Sequence, residues 1–171
     1  MSTKKITTYA MLIALYVVLS VMTPIRLIQF KFTLEAFPIL VAAFSYGPSA
    51  GFLVGCIGSA IYQIFFSSYG ITLTTPLWIL PHAASGILVG YLAKTQKERS
   101  FLSIGLIAVI SALSVTLLNT LALYVDSRVY GYYSAQLVFG SLIWKVLSGI
   151  LLSSLFALIL PKLLEQIDKI K

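Results

Sequence analysis

His82 is the single histidine of this chain and Cys56 its single cysteine. A disulfide or a Cys/His metal cluster within the chain is therefore excluded, and no His-Glu-x-x-His pair or paired carboxylates point to a metal site. What remains is a set of polar groups inside long apolar runs: Glu35, Gln63, His82, Asn119 and Lys145. Polar and ionisable groups are costly within a membrane, so each is a functional candidate by default. Tyr62, Trp78 and Tyr124 lie in the same segment ends, and Lys31 and Arg128 in adjoining loops. An aromatic, mostly apolar pocket with a few placed polar groups suits a small flat ligand, and the basic groups favour a carboxylate or phosphate on it.

Each residue also has a plainer reading. Glu35 fits the N-terminus of a helix, where a carboxylate is favourable. Gln63 and Asn119 fit hydrogen bonds between helices. Lys145 follows Trp144 two to three turns into the last apolar segment, and snorkelling of its ammonium towards the interface is the alternative to a ligand contact. Cys56 lies in the small, apolar run Gly51-Phe-Leu-Val-Gly-Cys-Ile-Gly58 and reads as packing.

The elements that must hold these residues are membrane helices. Charged residues are 10% of the chain against about 25% in soluble domains, and 59% of the chain is hydrophobic. With about 20 apolar residues needed per span, the chain reads as one all-α integral membrane domain, 1–171. Six transmembrane helices are expected over about 6–22, 34–46, 49–66, 76–93, 101–125 and 136–160. The second is too short to span unaided, and Gly47-Pro48 breaks it from the third in a tight hairpin. Small residues at helical spacing, Gly51/Gly55/Ser59 and Gly86/Gly90, predict close helix packing. Ala10 and Ala14 form a third such stripe, free to face a partner.

The basic residues are sorted. Eight of the 12 lie at the N-terminus (Lys4, Lys5), in a central linker (Lys94, Lys97, Arg99) or in the C-terminal tail (Lys162, Lys169, Lys171). The positive-inside rule makes these three segments cytoplasmic, in a multi-pass cell-membrane protein with both termini inside. The net charge of +7 is then topogenic rather than a sign of nucleic-acid binding. The candidate residues fall in the outer halves of the helices, which predicts an outward-facing pocket.

The stretch Phe30-Lys-Phe-Thr-Leu-Glu-Ala-Phe-Pro38, followed by Tyr46-Gly-Pro-Ser-Ala-Gly-Phe-Leu-Val-Gly55, resembles the S component of an energy-coupling factor (ECF) vitamin transporter. Ala10-Met-Leu-Ile-Ala14 is similar to the helix-one element with which such proteins dock on their transmembrane coupling subunit. The folate-type group is nearest: Leu118-Asn-Thr120, Tyr130-Gly131 and a basic residue opening helix six resemble it, although Lys145 stands where Arg is more usual. A departure from the group lies at Gly58-Ser-Ala-Ile-Tyr62, where an acid is often found in helix three.

The resemblance implies a substrate-binding subunit of an ECF-type ABC importer, with folate as first ligand and pantothenate or cobalamin as alternatives. Its partners are a coupling subunit and two ATPase subunits. ATP is used by those partners, since this chain has no Gly-x-x-x-x-Gly-Lys-[Ser/Thr] loop and no cofactor of its own is expected. Substrate binding is expected at Lys31, Glu35, Tyr62, Gln63, Trp78, His82, Asn119, Tyr124, Arg128 and Lys145, and docking at Ala10 and Ala14. The rivals are an intramembrane enzyme using His82 as a base, and a membrane scaffold that binds no small molecule.

Overall fold

The computed structural model describes residues 3–23, 25–27, 30–32, 34–68, 70–96 and 100–170, with side chains for all of these except 25–27, 30–32 and 170. Seven helices and one short ribbon follow in order: α1 (Thr3–Met22), β1 (Ile25–Leu27), β2 (Phe30–Phe32), α2 (Ala36–Tyr46), α3 (Pro48–Phe65), α4 (Thr75–Thr95), α5 (Phe101–Val129), α6 (Ala135–Phe139) and α7 (Leu142–Ile170). β1 and β2 pair antiparallel, with Arg26 opposite Lys31, in a stretch the sequence reads as a loop. Every other regular element among the described residues is a helix.

Four helices (α1, α3, α4 and α5) and the α6–α7 segment are long and apolar enough to cross a membrane; α2, with 11 residues, is not. The exterior is correspondingly apolar, with Leu102, Leu117 and Leu158 largely exposed. Such a surface is stable only against lipid or a protein partner. α2 is the opposite case: Pro38 to Phe44 are buried in succession, so this short helix is enclosed by its neighbours rather than by lipid.

Gly47 ends α2 at φ +90°, a conformation that strains any residue with a Cβ, and Pro48 then opens α3. Small residues set the α3–α4 contact. A Cβ on Gly51 would stand 2.4 Å from the Gly86 carbonyl oxygen, and one on Gly90 2.3 Å from the Pro48 nitrogen. The Gly stripes are therefore internal packing. α5 and α7 are also antiparallel: a Cβ on Gly105 would lie 3.3 Å from the Ala157 methyl, and one on Gly149 3.1 Å from that of Ala112. Between α4 and α5 the Ser85 and Ser111 hydroxyls hydrogen-bond at 2.7 Å in the buried interior.

The ends of the bundle are chemically distinct. Tyr9 of α1 meets Tyr46 edge-on at 5.5 Å, and Lys94 lies along Gly47. The N-terminus of α1, the α2–α3 hairpin and the end of α4 thus share one end, called here the Lys94 end. The opposite end carries Glu35 and the α4–α5 polar contacts.

Two boundaries differ from the sequence reading in ways that matter. α5 continues to Val129 rather than stopping near 125, because Asp126 and Arg128 are accommodated by partners described below. The last segment is two helices: Gly140, a poor helix former, closes α6 through its N–H to the Gln136 carbonyl, and α7 starts afresh at Leu142.

Candidate substrate site at the Glu35 end

Glu35 stands at the N-cap of α2, yet its side chain makes no capping hydrogen bond. The carboxylate is directed instead to α4, with Oε1 3.8 Å from Nε2 of His82. The two side chains are only 18% and 9% exposed. The carboxylate thus sits at the start of α2, where a negative charge is favourable, without making a capping hydrogen bond.

His82 is held from three sides. Its carbonyl oxygen lies 2.3 Å from where a Cβ on Gly55 would be, so only glycine at 55 lets α3 come this close. The Tyr16 ring of α1 meets the imidazole edge-on at 5.7 Å. Tyr16 is itself fully buried, because Gly58 leaves room: a Cβ there would stand 2.6 Å from the ring. Tyr16 is the site residue that sequence reasoning misses. Its signal was present as a tyrosine in the interior of an apolar run, with Ser20 four residues on hydrogen-bonding its carbonyl.

The helix registers bring further candidates to this level. Trp78 is one turn before His82 on α4, and Tyr62 packs against the cluster around Tyr16 and Val54. The α4–α5 register, pinned by Ser85–Ser111 and Thr74–Asp126, carries Trp78 level with Asn119 and Thr120. The α5–α7 register carries Lys145 level with Thr116, one turn from Asn119. Tyr62, Gln63, Trp78, Asn119, Tyr124 and Lys145 are all half-buried. Lys145 is the fourth residue of α7, not two to three turns into a helix, because the chain breaks at Gly140–Ser141. Its depth is therefore that of a first-turn residue.

Tyr124, Asp126 and Arg128 belong to a neighbouring network. Asp126 accepts hydrogen bonds from the Thr74 and Tyr132 hydroxyls, and the Leu73 N–H donates to the Tyr130 hydroxyl at 3.2 Å. The Arg128 guanidinium lies over the Tyr133 ring at 4.0 Å and the Tyr124 ring at 5.5 Å. These contacts sew the α4 entrance to the end of α5. The Lys31 side chain lies outside the described residues. Ala10 and Ala14 are exposed on α1, which buries only Tyr16 and Ser20, so that face is open to lipid or a partner.

No group of three or more metal-binding side chains occurs among the described residues. One hydrolase-like spacing is present, Gly47-Pro-Ser-Ala-Gly51. It joins two helices rather than a strand and a helix, and Ser49 is exposed at the Lys94 end, away from His82. Geometry thus denies it the role of a nucleophile elbow.

The family model for the substrate-specific component of ECF transporters matches residues 4–163. The chain belongs to this family. Solved S components share its fold. The S component of a bacterial ECF transporter superposes with a TM-score of 0.69 at 22% identity, over 96% of this chain and 97% of the other. An S component for biotin, from an ECF-type ABC transporter, gives 0.68 at 17% identity, over 95% and 94%. No curated protein matches. As an S component this chain is a multi-pass membrane subunit that serves substrate recognition.

Proposed function

We propose that this S component captures a vitamin-type small molecule at the Glu35 end and delivers it inward through a coupling subunit and two ATPase subunits. The observation that carries the reading is that Glu35, Tyr62, Trp78, His82, Asn119 and Lys145 fall in the half of the bundle headed by Glu35. Aromatic faces suit a flat ring system, amide and imidazole groups suit its hydrogen bonds, and the Lys145 ammonium suits a carboxylate.

The orientation follows from charge. Lys4, Lys5 and Lys94 lie towards the same end of the bundle, and the C-terminal tail adds Lys162, Lys169 and Lys171. With that end in the cytoplasm, the Glu35 end faces outside, where ligand is met. Binding there needs no enzyme activity and no cofactor in this chain.

Folate is the first ligand, supported by Leu118-Asn-Thr120, by Tyr130-Gly131 and by a basic residue opening α7. Biotin stands beside it, because an S component for biotin shares the fold over nearly the whole of both chains. Both ligands combine a ring system with a carboxylate. Reconstitution tests the division of labour. The purified chain in liposomes should bind labelled vitamin without accumulating it, and accumulation should appear with the partner subunits and ATP. Accumulation by the chain alone, without ATP, would contradict the proposal.

A further inference from the structure

The break between α6 and α7 falls inside one continuous apolar segment, Ala135–Lys169. The Gly140 N–H donates to the Gln136 carbonyl at 2.9 Å, and the Lys145 N–H to the Ser141 carbonyl at 3.0 Å. Between them, the N–H groups of residues 141–144 make no backbone hydrogen bond among the described residues. Such donors carry the partial positive charge of a helix N-terminus. In apolar surroundings an interrupted helix is tolerated where it lines a cavity or meets a ligand.

Ser141 supplies an independent observation. It is 1% exposed, and its hydroxyl has no hydrogen-bond partner among the described residues. A serine just before a helix ordinarily accepts from an N–H of the first turn, as Ser100 does from Ser103 and Ser134 from Leu137. Ser141 makes no such bond, and a buried hydroxyl left in this state requires a reason.

The direction of the side chain follows from the helix face. Lys145 and Ser148 lie one and two turns beyond Ser141 on the same face of α7. That face also carries Gly149, where a Cβ would stand 3.1 Å from the Ala112 methyl of α5. It therefore looks at α5, and the antiparallel register sets Ser141 level with Thr120, beside Asn119. Ile143, Leu147 and Leu151, on the other side of α7, are exposed. The hydroxyl thus points into the bundle, towards the side where Lys145 and Asn119 lie.

Helix N–H groups, a hydroxyl and an ammonium are all donors, and together they suit an anion. One ammonium and about half a charge from the helix end offset a single negative charge. That balance fits a carboxylate better than a doubly charged phosphate.

We propose that the N-terminus of α7, with Ser141 and Lys145, is the seat of the ligand's carboxylate. Ser141 makes the site select an acid over its neutral ester or amide. The ligand's identity rests on the function proposed above.

Titration calorimetry on the full-length chain in detergent tests the selection. The probes are biotin and folate, beside biotin methyl ester and folate amidated at both glutamate carboxyls. For whichever acid binds, Ser141→Ala should weaken the acid by about tenfold or more and its neutral counterpart by less than about threefold. Unchanged affinity for the acid, or equal losses for acid and neutral form, overturns the proposal. Displacement of the bound acid by added phosphatidylglycerol gives the seat to a lipid phosphate and overturns it as well.

Thermal unfolding of the ligand-free chain reads the seat without a vitamin. Ser141→Asp places a carboxylate there and should raise the midpoint by about 2–4 °C, an increase that Lys145→Gln should roughly halve. A lower midpoint for Ser141→Asp, or an increase untouched by Lys145→Gln, overturns the seat. The coupled increase with no vitamin bound from a full panel counts instead against the proposed function and leaves the anion seat standing.

Discussion

The carbonyl oxygen of His82 occupies the space where a Cβ on Gly55 would be, at 2.3 Å. The candidate-site histidine and the glycine stripe are thus one feature: α3 and α4 approach closely enough to seat His82 against Tyr16 and Glu35 only because Gly51, Gly55, Gly86 and Gly90 have no side chains.

Gly55→Val should accordingly separate α3 from α4. Overpacking of this kind costs about 1–3 kcal/mol, and the fixed backbone atom at Gly55 places the change at the upper end. Chemical unfolding in detergent measures it, with Cys56→Ala as a control that should change stability by much less.

Gly58→Ala gives a subtler outcome. The new methyl would meet Cδ1, Cγ and Cβ of the buried Tyr16 rather than backbone, so the whole side chain must shift and its contact with His82 change. The expected result is a folded protein with weakened ligand affinity; an affinity equal to wild type would place Tyr16 outside the site.

Lys145→Ala should weaken binding of a carboxylate-bearing ligand by about tenfold or more, the usual range for a charge-assisted hydrogen bond. Arg128→Ala should change affinity little, because the guanidinium is already placed over Tyr133 and Tyr124. Titration calorimetry on both variants separates the roles, and the reverse ranking would move the ligand towards the α5 end.

Ala10→Leu or Ala14→Leu should leave ligand affinity intact and abolish ATP-driven uptake in the reconstituted transporter. Both positions are exposed on α1, whereas Tyr16, the α1 residue that meets His82, is buried. Parallel loss of affinity and uptake would remove the docking role from this face.

Much of this was legible in the chain because charge is so expensive in lipid. The sorting of Lys4, Lys5, Lys94 and the tail lysines announces the spans, and Gly47-Pro48 announces the hairpin that places α2 beside α3. The depth of Lys145 was not legible, since hydropathy runs unbroken through Gly140–Ser141 while the helix does not. Tyr16 does not stand out in the sequence, because an interior tyrosine and an interfacial one look alike without knowing that Gly58 faces it. The partners of Arg128 were hidden for a similar reason: Tyr133 reaches it only after the chain turns at Gly131. Glu35 fits the start of a helix by position, and only the fold shows that it also approaches His82.

The central claim is that the Glu35 end binds one vitamin-type molecule. Native mass spectrometry of the purified chain against a panel of B vitamins, folate and biotin included, tests it most directly. One vitamin should add a single equivalent of mass, and Trp78→Ala with Asn119→Ala should abolish that addition while the protein remains folded. A wild-type spectrum with no vitamin adduct, or an adduct unaffected in the double variant, would contradict the account.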